Sequence, residues 1–252
     1  MRFASLGSGS KGNATLVQSG TTLLLVDCGF SLRETEARLQ RRGLAGEDID
    51  ALLVTHEHTD HCSGVARLSR KYQLPVYMSR GTWASGRCEG AFQVEYFHSD
   101  ARFQIGDITV APIAVPHDAR EPCQFVLQVG DLRLGILTDL GSITSAVTDH
   151  YRQCDALLLE CNHDREMLQQ GPYPYPLKQR VGGDWGHLNN QQAAELLARL
   201  QGDELRHLVV AHISEQNNHR DRVLDALGPV FSRTDSITWA DQVLGFEWLE
   251  LG

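Results

Sequence analysis

Six consecutive residues, His56-Glu57-His58-Thr59-Asp60-His61, restrict what this chain can be more than any other stretch of it. With 11 histidines in 252 residues, an H-x-H-x-D-H arrangement arises by chance on the order of 10⁻³ times per chain of this length. Imidazoles at i and i+2 of an extended segment project to the same side, so His56 and His58 can grip one cation. Asp60 and His61 turn away from that pair and can address a second. Mixed imidazole and carboxylate donors suit Zn²⁺, Mn²⁺ or Fe. The apolar run Ile49–Thr55 reads as the strand that delivers the motif, and Gly64–Tyr72 as a helix that follows it.

The rest of the chain has the same grammar. Phe3–Leu6, Ala14–Gln18 and Thr22–Val26 are short apolar runs separated by glycine-rich turns, which predicts strands. Ser31-Leu32-Arg33-Glu34 has the pattern of a capping box and predicts a helix ending at Gly43. Pro75–Met78, Ile108–Ala114, Phe125–Val129, Leu132–Thr138, Ala156–Glu160, His207–Ala211 and Gln242–Leu249 read as further strands, and Asn190–Leu200 as an Asn-capped helix. Gly171–Gly186, with three prolines, reads as a long irregular loop. Strands in series with interleaved helices predict a layered α/β fold. Polar residues keep appearing where strands end, at Asp27, His56, His117, Asp139, Glu160 and His212, which suggests one rim converging on one site.

Hydrophobic residues at 42% and charged residues at 22% are ordinary for a globular protein and exclude disordered or fibrous classes. No apolar run approaches the roughly 20 residues that span a bilayer. The first residues reach Gly7 too early for a signal-peptide apolar region, so a cytoplasmic protein without a membrane partner is expected. Cysteines 28, 62, 88, 123, 154 and 161 form no C-x-x-C pair and read as free thiols. The net charge of −9 argues against a broadly basic surface for duplex DNA, yet two divalent cations would reverse the sign of the field at the site. The sequence is silent on oligomeric state.

In order along the chain, Asp27, the H-x-H-x-D-H motif, His117 in Pro116-His117-Asp118, Asp139 in Thr138-Asp139-Leu140-Gly141 and His212 in Ala211-His212-Ile213-Ser214 resemble the motifs of the metallo-β-lactamase superfamily. The resemblance covers essentially the whole chain. It implies a single domain over 1–252, a four-layer αβ/βα sandwich with a dinuclear metal site on one edge. It implies that His56, His58 and His117 hold one metal, that Asp60, His61 and His212 hold the other, and that Asp139 bridges them. Asp27 then orients ligands without binding. Taken alone, His117 would be an ordinary loop histidine and Asp139 a turn residue; the joint pattern overrides both readings. His98, His150, His163, His207 and His219 match no ligand position.

Two further residues point to the nuclease and phosphodiesterase branches of the superfamily. Glu160 ends a strand, and His187, in Gly186-His187-Leu188-Asn189-Asn190, opens a helix. A departing alkoxide needs a proton, and a carboxylate behind an imidazole keeps that imidazole charged. Several segments, among them Leu6–Asn13, Glu160–Asp164 and His212–Asn218, resemble the YycJ (WalJ) group of bacterial metallo-hydrolases. The spacing from Asp139 to His212 leaves no room for the inserted β-CASP domain of RNA-maturing relatives. The resemblance implies a 5′-to-3′ DNA exonuclease, with DNA favoured over RNA, in which a hydroxide shared by two metals attacks phosphorus in line, Asp60 takes a proton and the Glu160–His187 pair assists. Lys11, Lys178 and Arg180 are candidate substrate contacts. The rival readings are a hydrolase of a small ester, thioester, lactone or cyclic phosphodiester using the same site, and a non-catalytic binding module.

Overall fold

The computed structural model describes residues 1–99 and 101–252. Its strands are β1 (Arg2–Gly7), β2 (Ala14–Ser19), β3 (Thr22–Val26), β4 (Ala51–Leu53), β5 (Pro75–Met78), β6 (Gln93–Tyr96), β7 (Phe103–Ile105), β8 (Ile108–Ala114), β9 (Cys123–Val129), β10 (Leu132–Leu137), β11 (Ala156–Glu160), β12 (His207–Ala211), β13 (Thr238–Trp239) and β14 (Phe246–Glu250). The helices are α1 (Leu32–Arg41), α2 (Thr59–Cys62), α3 (Val65–Tyr72), α4 (Arg80–Ala84), α5 (Ser145–Tyr151), α6 (Arg165–Gln170), α7 (Tyr175–Val181), α8 (Asn190–Arg199) and α9 (Arg220–Leu227).

The strands form two sheets, in the orders β14-β1-β2-β3-β4-β5-β6 and β13-β12-β11-β10-β9-β8-β7. Three apolar layers follow from the two-residue side-chain period of a strand. In β3, Leu24 and Val26 face the second sheet and share one cluster with Phe125, Ile136 and Leu158. Leu23 and Leu25, alternating with them, face outward and share a cluster with Leu39 of α1 and Leu68 of α3. The outer face of the second sheet, with Leu157, Leu159 and Val210, packs on Val147 of α5, Leu197 of α8 and Val223 of α9. Helix, sheet, sheet, helix is the αβ/βα sandwich expected from the sequence. No helix among the described residues is long and apolar enough to cross a membrane, and all six cysteines are free and buried.

Each sheet changes character at one strand. β3 pairs antiparallel with β2 and parallel with β4. β10 does the same, antiparallel with β9 and parallel with β11. Asp27 and Asp139 stand one and two residues beyond those two strands, both with left-handed backbone, at φ 61° and 57°.

Local chemistry explains the elements. The Ser31 hydroxyl accepts the Glu34 amide and the Glu34 carboxylate accepts the Ser31 amide, so the capping box forms as the sequence predicts. Asn189 and Gln192 make the equivalent box at α8. Two expectations are corrected. The segment 171–186 is not irregular: it contains α7, because Pro174 and Pro176 stand at the cap and in the first turn, where no amide is needed for helical bonding. The last strand begins at Phe246 instead of Gln242, since Asp241 accepts the amides of Val243 and Leu244 and Gly245 adopts φ 63°, closing a turn.

Candidate metal centre

The motif begins three residues beyond the end of β4. His56 and His58 lie on the extended turn, and α2 opens at Thr59 and carries Asp60 and His61. Two approaches of backbone fix this turn: the Cys28 amide donates to His61 carbonyl at 2.7 Å, and the Asn13 amide donates to Asp60 carbonyl at 2.8 Å. Gly29 is required beside it, because a Cβ there would lie 1.8 Å from the Asp60 carbonyl oxygen. The other polar residues arrive from the ends of β10, β11 and β12 and from the turns after β8 and before α8.

The structure brings together the residues that the sequence singled out. His56, His58 and His117 offer ring nitrogens within 4.8 Å of one another, and so do Asp60, His61 and His212 with their donor atoms. Asp139 joins the two sets, with its Oδ2 3.1 Å from His61 Nε2 and its Oδ1 3.8 Å from His117 Nε2. Neighbouring imidazole rings stand 4.3–4.9 Å apart around His56. Three of the buried rings are aimed by their other nitrogen. His61 Nδ1 lies 2.8 Å from Asp27 Oδ2, His56 Nδ1 lies 2.9 Å from Thr55 Oγ1, and His117 Nδ1 donates to the Gly186 carbonyl at 2.9 Å. Bonds of this kind fix the tautomer and leave Nε2 for a cation. Asp27 also accepts the Thr55 amide at 2.8 Å and the Thr55 hydroxyl at 2.9 Å, so it touches the cage only from behind.

The donor set fits two divalent cations. His56 Nε2, Asp139 Oδ2 and His212 Nδ1 are buried and have no hydrogen-bond partner among the described residues, although His212 Nδ1 and Asp139 Oδ2 lie only 3.2 Å apart. Buried polar atoms without partners are costly, and a cation satisfies all three. The field has the right sign. Burial alone would lower the pKa of His61 and His212, but Asp139 with Asp60 and Asp27 raises the first well above its usual value, and Asp139 with Glu160 raises the second to about 10. Burial also opposes the charge on Asp139, yet His212 and His61 hold its carboxyl well below the usual range. A cage that draws positive charge this strongly draws metal ions for the same reason.

Behind the cage, Glu160 is fully buried and accepts four hydrogen bonds, with His212 Nδ1 a further 3.4 Å contact. His187 Nδ1 is 2.8 Å away, and the amides of Asp139, Leu140 and Leu188 donate at 3.0, 3.3 and 2.8 Å. His187 and His212 share the mouth of a cavity of about 410 Å³ with His58, Asp60, Arg87, Asp118 and Arg180. Of the three candidate cations, Arg180 reaches this cavity. Lys11 instead pairs with Glu215 at 2.7 Å, and Lys178 donates to the Gln169 carbonyl at 2.7 Å on the opposite side of α7.

Sequence reasoning passed over several residues that the geometry brings in. Asn13 points its Nδ2 at His61 Nε2, 3.1 Å away, and at Asp60 Oδ2, 3.4 Å away; its place in the glycine-rich loop was the signal. Ser8 accepts the His212 amide at 3.0 Å, and Thr55, beside the motif, bridges Asp27 and His56. Asp118, beside His117, approaches His58 Nε2 at 3.6 Å and pairs with Arg180. Arg87 had no local pattern to mark it.

The comparisons with known proteins agree with this architecture. The family model described as "Beta-lactamase superfamily domain" matches residues 22–213. Exodeoxyribonuclease YycJ of Bacillus anthracis is 36% identical over 226 residues, 88% of this chain and 85% of that protein. Exodeoxyribonuclease WalJ of Streptococcus pneumoniae is 34% identical over 227 residues, 87% of this chain and 84% of its own length. Among solved structures, the metallo-β-lactamase fold protein YhfI of Bacillus subtilis superposes over 100% of this chain and 99% of its own, with a TM-score of 0.76 at 20% identity. The chain therefore belongs to the metallo-β-lactamase superfamily and, within it, to the family that contains YycJ and WalJ.

Proposed function

We propose that the protein is a metal-dependent exodeoxyribonuclease, a phosphodiesterase that works with two divalent ions, Zn²⁺ or Mn²⁺, and shortens DNA in the 5′-to-3′ direction. The observation that carries this reading is that an imidazole backed by a carboxylate, His187 on Glu160 at 2.8 Å, opens into the same cavity as His58, Asp60, Asp139 and His212. Hydrolysis of a phosphodiester needs an activated water on one side of phosphorus and a proton for the oxygen that leaves on the other.

His56, His58 and His117 would hold one ion, Asp60, His61 and His212 the other, with Asp139 between them. Bound there, the ions supply Lewis acidity and bring the pKa of water towards neutrality. The side chains do the rest. Asp60, partly open to the cavity, accepts the proton of the attacking water. Asp27, Thr55 and the Gly186 carbonyl keep the imidazoles from turning. Glu160 holds a proton on His187, raising its pKa against the effect of burial, and His187 delivers that proton to the departing oxygen. An oxyanion facing His187 and the cage has its charge offset as it forms.

DNA as the substrate is supported by the 36% and 34% identities to proteins named exodeoxyribonucleases, and the direction by the motifs quoted above. The return of β14 to pair with β1 supports one domain, and six free thiols support a cytoplasmic setting. Digestion of 5′- and 3′-labelled DNA and RNA, single- and double-stranded, by metal-loaded protein tests the reading. Mononucleotides released in order from the 5′ end of DNA are expected. Turnover of a small ester or thioester, with every strand intact, would replace this reading.

A further inference from the structure

Only one face of α7 belongs to the metal centre. Leu177, Arg180 and Val181 line the cavity over the cage, whereas Tyr175, Lys178 and Gln179 line a second cavity of about 690 Å³ behind the helix. Cavities of roughly 300–1,000 Å³ are the size that takes small organic ligands. Gln191 and Gln192 of α8 close the opposite wall.

His163 lies on the floor of this second cavity, and hydrolysis as described above does not use it. The residue is 2% exposed, and the Asn190 amide holds its backbone by donating to its carbonyl at 3.0 Å. Asn162 Nδ2 donates to the His212 carbonyl at 3.1 Å, which turns Asn162 Oδ1 towards the imidazole, 3.3 Å from His163 Nδ1. That oxygen can only accept, so the ring proton sits on Nδ1 and Nε2 is left as an acceptor. Nε2 makes no hydrogen bond among the described residues and faces the Gly182 side of the cavity, where a Cβ would lie 3.9 Å from it. Burial pushes the imidazole down to about 4, so the ring stays neutral at working pH. A buried acceptor without a partner is costly, and an N–H group of a ligand in the cavity satisfies it.

The rest of the lining indicates what carries that N–H. Tyr175 is 71% exposed and offers an aromatic face, steered by Gln179 Nε2, which donates to its hydroxyl at 2.9 Å. Arg165 is exposed, makes no ion pair or hydrogen bond among the described residues, and supplies a guanidinium for a phosphate. Asp184 and Glu195 bring carboxylates to the same cavity, so its field suits a ligand with one phosphate and repels a polyanion. We propose that this cavity binds a free nucleoside monophosphate, with the nucleobase against Tyr175, a nucleobase N–H on His163 Nε2 and the phosphate on Arg165. The site is separate from the cage, so the proposal goes beyond the nuclease reading and does not depend on it.

The test is equilibrium dialysis of radiolabelled deoxyadenosine monophosphate against metal-loaded protein, repeated after chelation. One bound equivalent that survives chelation is expected. Tyr175→Ala is expected to weaken it by roughly 5- to 150-fold, the range for loss of one base–aromatic stack, and Tyr175→Phe to restore it. Arg165→Gln is expected to remove a preference of about 10-fold for the monophosphate over deoxyadenosine. His163→Leu, checked for an unchanged melting temperature, is expected to weaken both by about 5-fold or more. Deoxyribose 5-phosphate, which has no nucleobase, is not expected to compete, and a cleavage-resistant phosphorothioate oligodeoxyadenylate is expected to compete no better than the monophosphate. No binding after chelation, or wild-type affinity in both Tyr175→Ala and Arg165→Gln, overturns the site. Tighter binding of the oligonucleotide, sensitive to the same two substitutions, overturns the free nucleotide as its occupant. Cleavage of labelled DNA by the wild type is measured alongside: its absence sinks the nuclease reading alone, and its presence with no bound monophosphate sinks the second site alone.

Discussion

Glu160 Oε2 lies 2.8 Å from His187 Nδ1, and the same buried carboxylate accepts the amides of Asp139, Leu140 and Leu188. One side chain thus orients a cavity imidazole and pins the turn that presents Asp139. The two partners should fail differently. His187→Ala is expected to slow DNA hydrolysis by about 10²- to 10⁴-fold, as loss of a general acid does, with metal content and melting temperature kept. Glu160→Ala leaves three buried amides without their acceptor, at about 1–3 kcal/mol each, and should lower stability by at least about 3 kcal/mol in urea unfolding. Equal effects of the two changes on activity and stability would contradict this division.

Asp27 meets the metal cage only through Thr55 and His61. Asn tolerates its left-handed backbone and keeps an acceptor for the Thr55 amide, but loses the charge behind His61. Asp27→Asn is expected to weaken metal binding by about 10- to 100-fold, the usual effect of removing such a partner. Competition against a chromophoric chelator measures it directly, and unchanged affinity would show that His61 needs no such support.

Gly29→Ala tests how the motif is held. The added Cβ would fall 1.8 Å from the Asp60 carbonyl oxygen and 2.8 Å from the Asn13 amide nitrogen, and neither backbone can give way without moving Asp60. A loss of about 3 kcal/mol or more is expected, together with loss of one metal equivalent. Gly43→Ala, where the Cβ meets nothing within 4 Å but φ is 72°, is the control: a smaller loss, about 1 kcal/mol, with metal binding intact.

Removing metal should loosen the whole domain, because the donors come from the ends of both sheets. A ligand present at a thousand times its dissociation constant adds about 4 kcal/mol, and in a chain of this size 1 kcal/mol corresponds to about 2–4 °C. Chelation is therefore expected to lower the melting temperature by roughly 8–16 °C, reversed by Zn²⁺ or Mn²⁺. An unmoved transition would mean that the cage is stable without cations.

Much of this was legible in the sequence, and the reason is local. His56, His58, Asp60 and His61 declare themselves because four donors within six residues have few other uses. The strands of the core declare themselves through apolar runs, and α1 through its capping box. What stayed hidden depends on distant pairing. The prolines of α7 look like breakers until Pro174 is known to stand at its cap and Pro176 in its first turn. The short strands β6, β7 and β13 have too few residues for a pattern and exist because a neighbouring strand pairs with them. Arg87 and Asp118 reach the cavity only after the two sheets are stacked. Lys178 and Arg180 look equivalent in sequence, yet two residues apart on a helix they face different ways.

The central claim, that two ions held by these donors hydrolyse DNA, is met most directly by titrating metal-free protein with Mn²⁺ or Zn²⁺ while following release of nucleotides from 5′-labelled DNA. Activity is expected to rise until two equivalents are bound and then level off, and to be absent at every ratio in Asp139→Ala. Full activity with one equivalent or none, or undiminished activity in Asp139→Ala, would contradict it.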